Sequence, residues 1–349
     1  MQRRSVLSVF MAGMASLASI PSSSQPNTRM GIVLYALKHR RLLSKRKKEQ
    51  PNLDDPIRFL AYCHSLGAGG VQIPFGIRDK NYINQFRALA EKRDMFFEAI
   101  LPAPNADSEV ERFRKMLVAA KDAGAKVLRT VIMPGRRYER FASMDAFRHF
   151  EKKALQSVQR MAPLVEKHKM RLAIENHKDQ RVEERLRILE QCSSEYVGVC
   201  FDVGNSFALL EDPVEVAEAF ASRTFTVHIK DQAVREYEEG FLFADVALGE
   251  GILDLPAIMK VLRRANSHLC YSLESITRDP LKVPCLRDSY WRTMRHVSGQ
   301  DLARVLRRVK AHPTREMEMI SQFPIQQRVR VEHETVVRSL AYARKNLEL

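Results

Sequence analysis

The chain has 349 residues, 45% hydrophobic and 28% charged, which is enough apolar material for a large core and excludes wholesale disorder. Its 14 Gly and 15 Pro exclude collagen-like and low-complexity architectures. The 57 Lys and Arg against 42 Asp and Glu leave +15 at pH 7, which suits an anionic ligand or an acidic surface without choosing between them, and five scattered Cys with no CxxC indicate neither a zinc ribbon nor a disulfide framework.

Residues 1–28 read as an export signal and linker. Arg3-Arg4 is followed by an apolar stretch from Val6 to Ala18, and no acidic residue occurs before Glu49. Ser16-Leu17-Ala18 offers small residues for cleavage, and a Ser/Pro-rich linker follows. The run Arg-Arg-Ser-Val-Leu resembles a twin-arginine signal, which implies an exported, periplasmic protein carried in folded form. The alternative is a cytoplasmic protein with a chance Arg pair. No later segment is apolar enough to keep the mature chain in a membrane.

From residue 29 the chain alternates short apolar runs with amphipathic stretches. The runs predict strands at 30–36, 69–75, 95–101, 126–133, 170–177, 197–205, 225–231 and 269–275. Helices are predicted between them, for example over 56–65, 83–92, 108–123, 143–169, 182–192, 213–221 and 255–264. Ser108 and Glu111 have the spacing of a capping box, and Gly124 supplies a helix stop. Eight strands alternating with helices predict an α/β fold, a (β/α)8 TIM barrel over 29–276. A doubly wound sheet is disfavoured because no Gly-rich loop follows the first strand. Residues 277–349 form a C-terminal extension packing on the barrel, with a basic helix near 300–311 and a last helix near 333–346.

Four polar residues stand at the ends of the last four strands: Glu175 in LAIEN, Asp202 in VCFDVGN, His228 in TVHIKD and Glu274 in YSLES. Two residues back on each strand lie Ala173, Cys200, Thr226 and Ser272, all small, while the alternate positions carry bulky residues such as Ile174, Phe201, Val227 and Leu273. Strand alternation therefore points all four inward, above a layer of small side chains at the mouth where barrel chemistry is located. Three carboxylates and an imidazole in one confined space repel and lose hydration unless they are neutralised. One divalent cation resolves this, with Mn2+ first and Mg2+, Co2+ or Zn2+ as alternatives.

The set Glu-Asn-His, Phe-Asp-Val-Gly-Asn, His-Ile-Lys-Asp and Leu-Glu resembles the sugar phosphate isomerase/epimerase family, with its xylose-isomerase-like TIM barrel, across residues 29–276. The resemblance implies Glu175, Asp202, His228 and Glu274 as metal ligands. It also implies Glu175 and Glu274 as the acid/base pair flanking a substrate carbon.

Secondary candidates surround that set. His177, Asn205 and Lys230 are placed to bind substrate hydroxyls or an oxyanion, and Arg136, after the fourth strand, to clamp an anionic group. Glu98 also falls at the mouth, where a structural ion pair is the plainer expectation. The basic run Lys38–Arg41 with Lys45–Lys48 reads as a solvated loop.

The expected function is a metal-dependent sugar isomerase or epimerase that abstracts a proton next to a carbonyl. A lyase or hydratase on keto-sugars or glycosides uses the same four residues. A non-catalytic exported sugar-binding protein is the alternative of another class. Nucleic acid is not an expected partner, since an endonuclease-IV-like metal cluster needs further histidines where Asn205 and Asp231 stand. The expected partner is a sugar or sugar derivative, with a homo-oligomer as the assembly to test.

Overall fold

Eight parallel strands close into a barrel in the computed structural model, which describes residues 28–47, 52–312 and 316–349. They are β1 (Gly31–Val33), β2 (Gly70–Pro74), β3 (Phe96–Ile100), β4 (Leu128–Thr130), β5 (Leu172–Glu175), β6 (Val197–Asp202), β7 (Thr224–Ile229) and β10 (Cys270–Leu273). The closed order is β1-β10-β7-β6-β5-β4-β3-β2. Seven lie inside the predicted runs and the eighth, β7, starts one residue before its run, at Thr224; the fold is the expected (β/α)8 barrel with a C-terminal helix. The predicted export segment lies outside the described residues except for Thr28.

Helix starts between the strands carry consistent sequence signals. Asp55, Asp79, Ser143, Asp212, Asp254 and Ser298 each accept a backbone N–H of the first turn, so that otherwise orphaned donors are satisfied. Pro follows Asp55 and Asp212 directly, where its fixed φ suits a helix entry. The bulky strand residues Leu172, Ile174, Val199, Phe201, Val227, Tyr271 and Leu273 pack outward in the main core. On the inner side Ala173 and Cys200 form a small separate cluster with Val127, and Phe225 packs against it from the strand start.

The structure corrects several expectations. β1 stops at Val33, and Leu34–Leu37 is a 3-10 turn leading into the helix Lys38–Lys47, so the basic run is helical rather than a loop as far as Lys47, with Lys48 outside the described residues. The Ser108/Glu111 capping box does not form: a 3-10 turn covers Asp107–Glu109, and the Glu111 carboxylate binds Arg114 instead. The last helix begins earlier than predicted, at Ile325, and runs to Asn346.

The largest departure follows β7. The chain runs almost directly from β7 into β8 (Asp231–Tyr237), turns at Gly240 and returns as β9 (Gly240–Val246), with β11 (Leu281–Val283) alongside. This antiparallel sheet is absent from the predicted elements: β8 and β9 lie between the predicted strand ending at Asp231 and the predicted helix at 255–264, and β11 follows the last barrel strand. Asp231 closes the sheet by accepting N–H bonds from Gln232, Gly249, Gly251 and Leu253 at 2.9–3.1 Å. Gly251 is required there, because a Cβ would lie 2.2 Å from Asp231 Oδ1.

C-terminal residues bind barrel-mouth elements. Glu332, on the last helix, accepts from the backbone N–H of His39 at 2.6 Å and of Arg40 at 2.9 Å, which caps the helix after β1 from a distance. Tyr290 donates its hydroxyl to Ala208 O at 2.8 Å. Arg137 is wholly buried between Glu184 and Thr293, with its guanidinium 3.6 Å from the Phe147 ring centroid. No described helix is long and apolar enough to cross a membrane.

Candidate metal centre

Glu175, Asp202, His228 and Glu274 converge: one ligand atom from each lies within 4.8 Å of all the others, and all four residues are buried. Strand register explains the convergence. Asp202 pairs with His228, whereas Glu175 pairs with Cys200 and His228 with Ser272. Asp202 and Glu274 thus each stand two residues beyond the partner of their neighbour, which is how tilted strands bring side chains to adjacent levels at the mouth.

His228 Nδ1 lies 3.2 Å from Glu274 Oε2 and 3.6 Å from Glu175 Oε2. Its Nε2 is engaged on the other side, 2.7 Å from Gln72 Oε1. Asp202 Oδ1 accepts the N–H groups of Gly204 at 3.1 Å and Asn205 at 3.2 Å, which leaves Oδ2 toward the cluster. The Glu175 backbone is pinned by Arg185, which donates to its carbonyl at 3.1 Å and pairs with Asp179 at 2.8 Å.

Two cations enter the cluster. Lys230 Nζ lies 2.6 Å from Asp202 Oδ2 and 3.1 Å from Glu274 Oε2. Arg129, on β4, places Nη2 directly on Glu175 Oε2. Burial raises the Asp202 carboxyl above its ordinary range against the pull of Lys230. Burial also works to raise Glu274, but His228, Lys230 and Arg129 outweigh it and hold it well below that range. Burial would lower Lys230, and Asp202 and Glu274 reverse this and raise it.

The residues fit a divalent cation. Glu175 Oε2, Asp202 Oδ2 and His228 Nδ1 are buried and face one shared space, where Arg129, Lys230 and Glu274 are their charged neighbours. Three carboxylate oxygens and one imidazole nitrogen form a hard donor set that suits a divalent ion, with Lys230 and Arg129 offsetting two of the three negative charges. Glu175, Asp202, His228 and Glu274 would hold it.

The secondary candidates divide. Lys230 joins the cluster. Asn205 is buried, and its side chain is used internally: Nδ2 donates to Glu175 Oε1 at 3.4 Å and to Asn176 O at 3.2 Å, while Oδ1 accepts from Lys178 Nζ. His177 is half-buried, with Nδ1 2.8 Å from Gly135 O, and burial and then Lys178 keep it well below its ordinary pKa. Arg136 is not brought to the cluster; it pairs with Glu139 at 2.6 Å. Glu98 faces inward, but Gln72 and Thr226 replace the expected ion pair as its partners.

Arg129 and Lys178 were not anticipated. Arg129 carried a usable signal, a charge inside an apolar strand run, and its register partner is the inward Ala173. Lys178 lies past a strand end, where no alternation applies. It is buried, and burial followed by Lys230 brings its pKa down to about 7.

The fold and this donor set define a TIM barrel with a candidate metal site at its mouth, and comparison assigns its family. Residues 60–308 match the family model described as xylose isomerase-like TIM barrel, and the chain belongs to that family. Among curated proteins it is 34% identical over 112 residues to a 3-oxo-isoapionate decarboxylase from Pectobacterium atrosepticum, a match spanning 32% of this chain and 41% of that protein. It superposes on a sugar phosphate isomerase/epimerase from Parabacteroides distasonis with TM-score 0.53 and 14% identity, covering 94% of this chain and 99% of that one. A probable 3-DHS dehydratase, AsbF from Bacillus anthracis, gives TM-score 0.53 at 13% identity, covering 71% of this chain and 92% of that one. At such identities these structures establish the fold alone.

Proposed function

We propose that this chain is a divalent-metal-dependent sugar isomerase or epimerase that removes a proton next to a carbonyl and returns it. The observation that carries this reading is the convergence of Glu175 and Glu274 on one buried cluster from strands three places apart in the barrel. A divalent ion bound there, Mn2+ by preference, supplies electrostatic stabilisation to the negative charge that develops on a carbonyl oxygen. One glutamate takes the proton from carbon, and the other delivers one from the opposite side. Asp202 serves as ligand. Lys230 offers a fixed positive charge to the oxyanion, His177 supplies a neutral hydrogen-bonding edge, and Asn205 holds Glu175 in place. Arg136, outside the cluster, is left to the rim, where an anionic end of the substrate would meet it.

A second reading, a lyase acting on an oxidised sugar, is favoured by Arg129. Its guanidinium sits on Glu175 Oε2 and adds positive charge that suits a substrate carboxylate. The partial likeness to a decarboxylase points the same way. One experiment separates the two: incubate the Mn2+-loaded protein in deuterium oxide with a panel of neutral ketoses and keto sugar acids. Deuterium wash-in at a carbon next to the carbonyl, with the skeleton intact, supports the isomerase. Loss of carbon dioxide or water supports the lyase, and neither change across the panel favours the sugar-binding protein.

A further inference from the structure

Beneath the cluster lies a hydrogen-bonded chain that the proposed reaction does not use. His228 Nε2 meets Gln72 Oε1 at 2.7 Å, and Gln72 Nε2 donates to Glu98 Oε2 at 2.8 Å. Thr226 Oγ1 donates to the same Glu98 oxygen at 2.8 Å. All four residues are wholly buried, and they come from β2, β3 and β7. Gln72 and Thr226 are the hydrogen-bond partners of Glu98, and neither is a cation.

The polarity of this chain follows from the charge on Glu98. Burial raises its carboxyl to about 7 against the hydrogen bonds of Gln72 and Thr226, so above that pH it is ionised and only accepts, and the Gln72 amide turns its NH2 toward it. The Gln72 carbonyl oxygen then faces His228 and accepts from Nε2. His228 therefore donates through Nε2, so Nδ1, the atom facing Glu175 and Glu274, is the nitrogen whose lone pair is available to a metal ion. The opposite orientation would place the proton on the ligand atom.

We propose that Gln72 and Glu98 are positioning residues for the metal centre: they hold His228 in the tautomer that ligates through Nδ1. The inference rests on the reading of the cluster as a metal site. Partners beyond the ligands commonly change metal affinity by about 10–100-fold.

The test uses three full-length variants, with calorimetric titration of Mn2+ at pH 8.5. Glu98→Gln keeps the size but ends the enforced polarity, because a glutamine can offer either end to Gln72. Its Mn2+ affinity should fall by about 10–100-fold while the metal-free melting temperature stays close to wild type. Gln72→Leu should lose a similar amount. The exchange Gln72→Glu with Glu98→Gln restores the polarity in reverse order: the residue at 98 donates to a carboxylate at 72, which accepts from Nε2. This double variant should recover wild-type affinity, a rescue that a packing role alone would not give. Nitrogen-15 spectra of the wild type loaded with diamagnetic Mg2+ at pH 8.5 should show His228 protonated on Nε2 and ligating through Nδ1. Wild-type affinity in folded Glu98→Gln and Gln72→Leu, or ligation through Nε2 in the loaded wild type, overturns the proposal. A wild type that binds no Mn2+ counts instead against the metal reading itself.

Discussion

Glu175 and Glu274 stand three strands apart in barrel order, yet both bring a carboxylate oxygen within 3.6 Å of the same atom, His228 Nδ1. Their surroundings differ. Arg129 and Asn205 hold Glu175, and Lys230 holds Glu274.

The difference predicts unequal roles. Glu→Gln at either position keeps the size and one oxygen ligand but removes the base. Each variant should retain bound metal and lose turnover by roughly 10²–10⁴-fold, the usual worth of positioned acid–base catalysis. Deuterium wash-in from one epimer should stop in one variant and persist in the other. Wild-type turnover in both variants would exclude the two-glutamate mechanism and make His177 the next base to test.

Glu332 predicts a pH-dependent stability. Burial pushes its carboxyl up to about 7, against the N–H groups of His39 and Arg40 that favour the charged form. The unfolded value is the ordinary 4.5. Between these values the folded chain holds a proton that the unfolded chain has released. Stability from this group is therefore complete below about pH 4.5 and is lost as pH rises to about 7. Glu332→Gln does not titrate, so the wild type should lose roughly 2 kcal/mol relative to it between pH 5 and 8. Denaturant unfolding of both proteins across that range checks the slope. Parallel curves would show that the buried carboxyl does not change its protonation.

Much of the site was legible because strand alternation is a strict geometric rule. Glu175, Asp202, His228 and Glu274 share a phase with small residues below them, and that phase alone directed them inward. The C-terminal half of the site's surroundings was not legible. β8 packs with the helix Gly299–Ala311, and Phe241 and Phe243 of β9 pack on Phe207, contacts between distant segments that no local pattern announces, and nothing local marks Asp231 as the residue that closes the loop. Asn205 looked like a substrate contact because its type and place allow one; only packing reveals that Lys178, Glu175 and Asn176 already occupy its amide. Arg136 follows a strand end, a position that sequence places at the mouth. Arg129 lies inside an apolar strand run, and the barrel register sets it beside the inward Ala173.

Export is proposed from Arg3-Arg4 and the acid-free apolar stretch to Ala18. Changing both arginines to lysine should hold the precursor in the cytoplasm, while the unaltered chain should reach the periplasm without its first eighteen or so residues. N-terminal sequencing of the periplasmic fraction reads both outcomes. Unimpeded export of the lysine variant would exclude the twin-arginine route.

The most direct test of the account is calorimetric titration of the metal-free protein with Mn2+, paired with thermal melting at each concentration. The account predicts one ion per chain, a melting temperature that rises with free Mn2+ because the ion binds the folded state, and loss of both effects in His228→Ala and Asp202→Ala. A wild type that binds no divalent ion, or variants that bind it unchanged, would contradict the assignment of Glu175, Asp202, His228 and Glu274 as a metal centre.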